Sequence, residues 1–305
     1  MRHISLLASL LFLLSCTTTQ NYSEHRATDL IKIKDLEFSV RQAGPKDGEL
    51  VILLHGFPQT SYSYKGLMKT LAAEGYRVLA PNQRGYSMGA SPYEVSAYRI
   101  DLLVQDVLDL ADHQGAKKFH LVGHDWGSVV SWTLAERHPE RLKSLTSLSI
   151  PHLRAFKEAM ADPQCKQAKK SSYIKTFVQE GSENIYLRAN KTGLKMIYKD
   201  LPESDREFYL DYFGRKQVLR TALNWYRAYF GPWSPQKPLG KIKVNTLFVW
   251  GAQDMAVGEC GVKNTYKYMS KGKYTQKTLP DSGHWLLESN PKEIAQWILA
   301  HLRKN

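Results

Sequence analysis

Short apolar runs alternate with amphipathic stretches along most of the chain. The runs are rich in aliphatic residues without polar alternation, which predicts strands buried on both faces. The stretches between them repeat apolar residues at helical spacing, which predicts helices. From Leu36 onward this alternation predicts an α/β fold with a mainly parallel sheet. The predicted strands are residues 51–54, 77–80, 119–122, 145–150 and 246–250, and the predicted helices are residues 65–74, 95–113, 128–137 and 291–302.

The alternation stops between residues 152 and 240. Helical segments follow one another there without an intervening strand, aromatic residues are dense, and three prolines within residues 232–238 mark the exit. The block predicts an inserted helical cap over residues 152–240. The expected core therefore comes in two parts, residues 31–151 and residues 241–305.

Composition indicates an ordinary folded protein. The chain has 305 residues, of which 43% are hydrophobic and 23% are charged, which excludes a disulfide-stabilised mini-protein and a disordered chain. Lys and Arg number 42 against 29 acidic residues, a formal net charge of +13. Because the basic residues are spread along the whole chain, they favour adsorption to anionic surfaces without indicating a nucleic-acid site. We expect no nucleic-acid partner.

The N-terminal residues have the pattern of an export signal. Arg2 precedes an apolar run over residues 4–14, which is too short to span a bilayer. The run ends in Leu-Leu-Ser-Cys, which resembles a bacterial lipobox, so residues 1–15 are the expected lipoprotein signal peptide. Cys16 is then lipidated and anchors the protein to a membrane, with residues 16–30 as a tether. A plain secretory signal with an incidental cysteine is the alternative.

The predicted anchor has two consequences. The expected location is the bacterial cell envelope, at the periplasmic face of the outer membrane if the source is Gram-negative. If Cys16 is lipidated, only Cys165 and Cys260 remain, which allows one disulfide in an oxidising compartment and leaves the pairing open. Their spacing matches no metal motif.

Candidate chemistry gathers where the predicted strands end. Gly-His-Asp-Trp-Gly at residues 123–127 directly follows the strand at residues 119–122 and directly precedes a helix. This is the arrangement of a nucleophile elbow, with Asp125 at the nucleophile position. Glycines suit so sharp a turn because backbone segments approach closely there, and a carboxylate near a helix N-terminus is stabilised as an anion. An ordinary turn is the alternative for the bare motif.

Two further residues follow in the order nucleophile, acid, histidine, which is the order of an α/β-hydrolase. Asp254 lies four residues after the strand that ends at Trp250, and His284 lies between the last predicted strand and the last helix. The rival acid position, after the strand ending at Ile150, offers no carboxylate. A loop carboxylate and a structural histidine are the alternative interpretations.

A candidate oxyanion hole completes the set. His-Gly-Phe-Pro at residues 55–58 ends the strand at residues 51–54, and its backbone N–H groups can face a reacting atom. The backbone N–H groups of Phe57 and Trp126 are the predicted donors to an oxyanion.

Taken together, these segments resemble the epoxide hydrolase branch of the α/β-hydrolase superfamily along nearly all of the chain after the signal. The resemblance implies an α/β-hydrolase fold, with a mainly parallel eight-stranded sheet flanked by helices and an inserted helical cap. The family more often has Asp where Asn82 stands, a departure that affects loop bonding rather than chemistry. The matching segments are residues 55–59, 83–87, 123–127, 223–227 and 283–285.

The resemblance also implies two cap tyrosines that donate hydrogen bonds to the epoxide oxygen. Tyr226, within Leu-Asn-Trp-Tyr-Arg, matches one of them, and Tyr173, with Phe177 four residues on, matches the other. With 17 tyrosines in the chain, packing is the alternative role for either. The substrate site implied by the family is formed by Tyr173, Tyr226, Phe57 and Trp126.

The implied reaction proceeds through a covalent ester. Asp125 opens a small apolar epoxide, since a carboxylate can displace at saturated carbon and leave an ester to hydrolyse. Water activated by His284, which Asp254 orients, then hydrolyses the ester and releases a vicinal diol. The reaction needs no metal and no organic cofactor. The sequence indicates no particular oligomeric state.

Other functions stay open at this point. Haloalkane and haloacid dehalogenases share the Asp nucleophile, but haloalkane dehalogenases usually have Asn where Phe57 stands, and fluoroacetate dehalogenases have Arg where Trp126 stands. Two further alternatives are a hydrolase that acts on another class of substrate and a lipid-anchored binding protein with an inactive hydrolase fold. The intact set of Asp125, Asp254 and His284 argues against the binding protein.

Overall fold

The computed structural model describes residues 29–235 and 237–305. The predicted signal peptide, Cys16 and the tether up to residue 28 lie outside the described residues. The last two residues of the predicted tether, Asp29 and Leu30, pair with Val40 and Ser39 in a sheet. The C-terminal bound of the tether is thereby corrected, because the folded core already includes these two residues.

Eight strands in the described part of the chain form one sheet. Along the chain they are β1 (Asp29–Ile33), β2 (Leu36–Ala43), β3 (Leu50–Leu54), β4 (Arg77–Pro81), β5 (Phe119–His124), β6 (Leu142–Leu148), β7 (Asn245–Gly251) and β8 (Tyr274–Leu279). Their order across the sheet is β1-β2-β4-β3-β5-β6-β7-β8. β2 runs antiparallel to β1 and β4. Across the rest of the sheet, from β4 through β3, β5, β6 and β7 to β8, each pair of neighbouring strands is parallel. The mainly parallel eight-stranded sheet is confirmed.

Twelve α-helices lie within the described residues. They are α1 (Lys65–Ala73), α2 (Ile100–His113), α3 (Trp126–Arg137), α4 (Leu153–Ala161), α5 (Gln167–Lys170), α6 (Ile174–Phe177), α7 (Ser182–Ile197), α8 (Glu203–Tyr212), α9 (Lys216–Tyr229), α10 (Glu259–Asn264), α11 (Leu286–Ser289) and α12 (Pro291–Leu302). α7 is kinked at residues 188–191, which leave helical dihedral angles. None of the described helices is both long and apolar enough to cross a bilayer.

The sheet separates two hydrophobic clusters. In β3, Ile52 and Leu54 belong to one cluster, and Val51 and Leu53 belong to the other, since successive side chains point to opposite faces. Residues of α2 and α3 pack in the first cluster, and residues of α1 and α12 pack in the second. Burial of both faces explains why the central strands are continuous apolar runs.

Six helices, α4 to α9, lie between β6 and β7, and the described residues of that segment contribute no strand to the sheet. This segment, predicted from the sequence as a cap, is called the cap segment below. A disulfide joins it to the chain beyond β7. Cys165 ends a short 3-10 turn after α4, Cys260 lies in α10, and their Cα atoms are 5.6 Å apart. The pairing that the sequence left open is therefore present.

Candidate active site

The carboxyl ends of three neighbouring strands bring the candidate residues together. In the parallel register, His124 of β5 pairs with Leu148 of β6, which pairs with Val249 of β7. The chain leaves these strands at one edge of the sheet, so Asp125, Ser149 and the loop that carries Asp254 meet there. Asp125 and Asp254, which are far apart in the sequence, are brought to the same end of the sheet by the register of these strands.

Asp125 occupies a strained turn between β5 and α3. Its backbone has a φ of 50° and a ψ of −118°, a region that non-glycine residues rarely adopt and that is found at functional sites. Glycines make the turn possible. A Cβ on Gly127 would lie 1.9 Å from the Leu54 carbonyl oxygen, and one on Gly123 would lie 2.4 Å from the Gly127 carbonyl oxygen.

The Asp125 carboxylate is held by backbone amides. The Phe57 N–H donates to Oδ1 over 2.8 Å, and the Trp126 N–H is a second donor. Burial raises the pKa of Asp125, whereas the charge of His284 and the two amides act in the opposite direction. The amides predicted as oxyanion donors therefore already contact the carboxylate that would carry the oxyanion.

His284 lies between the two carboxylates. Its Nδ1 is 3.0 Å from Asp254 Oδ2 and its Nε2 is 3.7 Å from Asp125 Oδ2. Burial lowers the pKa of His284, but the charge of Asp254, its hydrogen bond and the charge of Asp125 outweigh burial and raise that pKa to about 9. Asp254 therefore fixes the imidazole so that Nε2 points toward Asp125.

Asp254 is fully buried and satisfied by several donors. Burial alone raises its pKa, but the charge and hydrogen bond of His284, together with hydrogen bonds from Ser149 and the Ala256 N–H, lower it below the ordinary value. The Ala256 and Val257 N–H groups donate to Oδ1 over 2.8 Å and 3.1 Å. The side chain is accordingly an anion at neutral pH.

Ser149 is a site residue that the sequence analysis missed. Its hydroxyl donates to Asp254 Oδ2 over 2.7 Å and lies 3.1 Å from His284 Nδ1. It is fully buried, and its backbone φ is 73°. The sequence pattern placed Ser149 inside a strand predicted over residues 145–150, whereas β6 ends at Leu148 and leaves Ser149 at the start of the following loop.

The loop that carries Asp254, called the acid loop below, is attached to the cap segment by α5. The Gln167 side chain donates to the Ala256 carbonyl over 2.7 Å and accepts from the Gly258 N–H over 2.7 Å. Lys170 donates to the backbone carbonyl of Asp254. Together with the disulfide at Cys260, these contacts fix the loop that orients the histidine.

The loop carrying Phe57 is fixed by the segment at residues 83–87. Gln83 donates its N–H to His55 Nε2 over 3.1 Å and its side-chain amide to the His55 carbonyl over 2.6 Å. Burial lowers the pKa of His55 to about 4, so the ring is neutral and can accept. The Phe57–Pro58 peptide is cis.

Tyr173 and Tyr226 face Asp125 from the cap segment. Their ring centroids are 6.4 Å apart, and burial together with the Asp125 charge raises the pKa of both hydroxyls. Both phenols are therefore protonated at neutral pH and can donate. The structure thus brings Tyr173, Tyr226 and the Asp125 carboxylate together.

Neighbours of Tyr226 explain its position on α9. Trp225 donates from its indole nitrogen to the Arg84 carbonyl over 2.8 Å, and Thr221 donates to the Gly85 carbonyl over 2.6 Å. On the other side, Arg227 forms a buried ion pair of 2.8 Å with Glu183. The Asn-Trp-Tyr-Arg segment therefore docks α9 on the core and on α7, and holds Tyr226 where the charge of Asp125 reaches its hydroxyl.

A cavity of about 320 Å³ opens beside Asp125. Trp126, Tyr173 and Tyr226 line the cavity together with Asp125. The Phe57 ring, which was expected at the substrate site, does not line it and packs on Phe177, with the ring centroids 5.1 Å apart. Phe177 and Trp225 are core residues. Tyr229 and Phe230 also line the cavity. In the described part of the chain no group of three metal-ligating side chains could hold a metal ion.

The alpha/beta hydrolase fold family matches residues 49–291. The chain belongs to this family. A relative, AB hydrolase superfamily protein YfhM of Bacillus subtilis, is 33% identical over 90% of this chain and 96% of its own length. Epoxide hydrolase A of Mycobacterium tuberculosis is 30% identical over 90% of this chain and 96% of its own length.

Solved structures agree with these relatives. The crystal structure of Epoxide Hydrolase A from Mycobacterium thermoresistibile has a TM-score of 0.77 and 26% identity, and covers 90% of this chain and 97% of that chain. The protein is a hydrolase of the α/β-hydrolase superfamily and is similar to epoxide hydrolases in sequence and fold.

Proposed function

We propose that the protein is an epoxide hydrolase that forms vicinal diols through an ester on Asp125. The observation that carries the proposal is a carboxylate at the nucleophile elbow that lines one cavity with two tyrosines, whose hydroxyls its charge reaches. A carboxylate attacks saturated carbon, and phenols donate to an oxygen on which charge develops. Epoxide hydrolases among the relatives support the same reaction.

Ring opening is the first step. The Asp125 oxygen that Phe57 does not hold bonds to a ring carbon as the carbon–oxygen bond of the ring breaks. The electron pair goes to the epoxide oxygen, which takes a proton from Tyr173 or Tyr226. The products of this step are an alkyl ester on Asp125, a free hydroxyl and a phenolate.

Ester hydrolysis is the second step. Water loses a proton to His284 Nε2 and attacks the Asp125 carbonyl carbon, and the Phe57 and Trp126 amides stabilise the oxyanion. Collapse expels the second diol oxygen, which takes the proton back from His284. The proton of the resulting Asp125 carboxylic acid restores the phenol, so the net reaction consumes one epoxide and one water.

Trapping of the ester tests this proposal. His284→Gln keeps the nucleophile but removes the base, so mixing with an accepted epoxide should add the epoxide's mass to the peptide containing Asp125. Intact-protein and peptide mass spectrometry measure the adduct. Asp125→Ala is the matched control and should gain no mass. An unmodified His284→Gln protein, with wild type active on the same epoxide, would contradict the ester route, and halide release from haloalkanes without diol formation would favour a dehalogenase.

We further propose that Cys16 is lipidated and anchors the enzyme in the bacterial envelope, at the periplasmic face of the outer membrane in a Gram-negative source. The Leu-Leu-Ser-Cys sequence supports lipidation, and the Cys165–Cys260 disulfide fits an oxidising compartment. The proposed domain division also keeps residues 152–240 as a helical cap above the cavity, as a feature separate from the anchor. Cys16→Ser should move the protein out of the membrane fraction, and wild type found wholly in the soluble fraction would contradict the anchor.

A further inference from the structure

Gln167, on α5 of the cap segment, is only 1% exposed and uses its whole side-chain amide. Its Nε2 donates to the Ser171 hydroxyl over 2.9 Å and to the Ala256 carbonyl over 2.7 Å, and its Oε1 accepts from the Gly258 N–H over 2.7 Å. An amide side chain has two N–H donors and one carbonyl acceptor, so each of them has a partner. Two of the three bonds therefore cross from the cap segment to the acid loop.

The peptide group between Ala256 and Val257 is held on both sides. Its carbonyl accepts from Gln167 over 2.7 Å, and its N–H, which belongs to Val257, donates to Asp254 Oδ1 over 3.1 Å. Because a peptide group is planar and trans, its carbonyl and its N–H point in opposite directions. A contact that fixes the carbonyl therefore also fixes the direction of the N–H. Gln167 is thus connected to the Asp254 carboxylate through one rigid group.

The same path continues to the histidine. Asp254 Oδ1, which accepts from Val257, also lies 3.1 Å from His284 Nδ1. His284 activates water in the second step of the proposed mechanism, whereas ring opening in the first step uses Asp125 with Tyr173 or Tyr226. The contacts of Gln167 with the acid loop therefore lead to the hydrolytic step.

Gly258 leaves room for this contact. A Cβ at Gly258 would lie 3.2 Å from Gln167 Oε1, which is closer than ordinary van der Waals contact. The backbone of Gly258 has a φ of −99°, which any residue can adopt. Close approach of the glutamine, rather than backbone conformation, is therefore what favours glycine at this position.

We propose that Gln167 is a positioning residue for ester hydrolysis, which holds the Asp254 carboxylate in place beside His284 from the cap segment. This inference rests on the proposed function and adds a residue to its second step. The cap segment then contributes to both steps of the reaction, with Tyr173 and Tyr226 in ring opening and Gln167 in hydrolysis.

Removal of the amide tests the proposal. Gln167→Met keeps the length of the side chain but leaves the Ala256 carbonyl and the Gly258 N–H without their partner. Ester hydrolysis should become roughly tenfold slower, because buried polar groups are then unpaired and the acid loop is free to turn. Ester formation should stay within about twofold of wild type, so the ester should accumulate. Rapid-quench single-turnover experiments measure both rates, with styrene oxide or cyclohexene oxide, whichever wild type converts faster.

Two matched variants control for disturbance of the cap segment. Ser171→Ala removes the bond of Gln167 that stays within the cap segment and leaves the two bonds to the acid loop. Gln164→Met makes the same chemical change as Gln167→Met at an exposed position on the preceding turn. Both control variants should hydrolyse the ester at the wild-type rate.

Gly258→Ala approaches the contact from the acid loop and guards against misfolding of the Gln167 variant. It should slow ester hydrolysis in the wild-type background, because the new Cβ pushes on Gln167 Oε1. It should add little to Gln167→Ala, in which that oxygen is absent, since two changes at one contact are not additive.

NMR titration of His284 provides a measurement that needs no epoxide. Burial lowers the pKa of His284, whereas the charge and hydrogen bond of Asp254 raise it, to about 9. Gln167→Met should lower this pKa, because Asp254 is then held less firmly at Nδ1. The charges of Asp125 and Glu288, which also raise it, are unchanged in the variant. Gln164→Met should leave the pKa at the wild-type value.

The outcomes separate the two proposals. Unchanged hydrolysis in Gln167→Met, equal slowing of both steps, or equal slowing in Ser171→Ala overturns the positioning role. A His284 pKa in Gln167→Met equal to that of wild type also overturns it. If His284→Gln gains no ester while Gln167→Met still lowers the His284 pKa, the proposed function fails and the contact between Gln167 and the acid loop keeps its effect on the histidine.

Discussion

Ser149 donates a 2.7 Å hydrogen bond from its hydroxyl to Asp254 Oδ2. The same hydroxyl lies 3.1 Å from His284 Nδ1, so it touches both members of the acid–histidine pair. A non-glycine residue at a φ of 73° is costly, and such strain is retained where it orients a functional group. Ser149 is therefore a positioning residue for His284.

Ser149→Ala should slow ester hydrolysis roughly tenfold, because a hydrogen bond to a charged group contributes about 1.5–3 kcal/mol. Ester formation should be nearly unchanged, since the Ser149 hydroxyl lies at Nδ1 of His284 and Asp125 lies at Nε2. Rapid-mixing single-turnover measurements separate the steps. Ser149→Gly is the control, because it also lacks the hydroxyl but relaxes the backbone; equal slowing of both steps in the two variants would indicate a merely structural role.

Asp125→Asn should lower the pKa of His284 below the value of about 9 in the resting protein. The sign follows from charge: an anion at Asp125 favours the imidazolium, and a neutral side chain removes that effect. Esterification removes the same charge, so the base becomes neutral at lower pH in the step that needs it. NMR titration of the imidazole measures the shift, and an unchanged pKa would contradict the coupling.

Tyr226→Phe should reduce the rate of ester formation by roughly 10²-fold, because it removes a hydrogen-bond donor to the developing alkoxide. Tyr173→Phe should act in the same direction. Tyr229→Phe is the matched control: this residue also lines the cavity, but it is paired electrostatically with Arg137 and not with Asp125. Diol formation by the Tyr226 variant at the wild-type rate would make Tyr226 a packing residue.

Replacing both Cys165 and Cys260 by alanine should lower the free energy of unfolding by about 2–4 kcal/mol, since the bond closes a long loop. The sequence separation is 95 residues. Urea unfolding of the oxidised wild type, the reduced wild type and the double variant measures the change. If all three unfold at the same urea concentration, the bond contributes nothing to stability.

Strand position explains which parts of the fold the sequence could predict. The central strands are buried on both faces and appear as continuous apolar runs, as in Leu50–Leu54, all of whose residues are buried. The edge strand Tyr274–Leu279 has four consecutive exposed residues, so it shows neither an apolar run nor alternation. The strands Asp29–Ile33 and Leu36–Ala43 carry polar residues on an exposed face and were likewise not delimited.

The predicted ends of helices and strands were only approximate where the local backbone geometry decides them. The helix predicted over residues 95–113 begins at Ile100, after a 3-10 turn at Val95–Tyr98. The strand predicted over residues 145–150 runs from Leu142 to Leu148. Both shifts place polar residues such as Ser149 and Arg99 in turns, where side chains can hydrogen-bond the backbone or the site.

Site residues were predictable where a motif carries them. Asp125, Asp254 and His284 follow from strand ends and chain order, and the structure brings them together. Ser149 has no motif, and the contacts of Gln167 with the acid loop depend on how the cap segment packs. Aromatic composition alone did not distinguish a core residue such as Trp225 from a cavity residue such as Tyr229.

The Cys165–Cys260 bond has a consequence for the protein after a protease has cut it. Proteases preferentially cut exposed loops, and the stretch between the two cysteines includes the exposed residues Pro232 and Trp233. A cut there divides the chain into one fragment that carries Asp125 and another that carries Asp254 and His284. Because Cys165 and Cys260 lie on opposite sides of the cut, the nicked protein stays one covalent molecule in which Asp125, Asp254 and His284 are still joined.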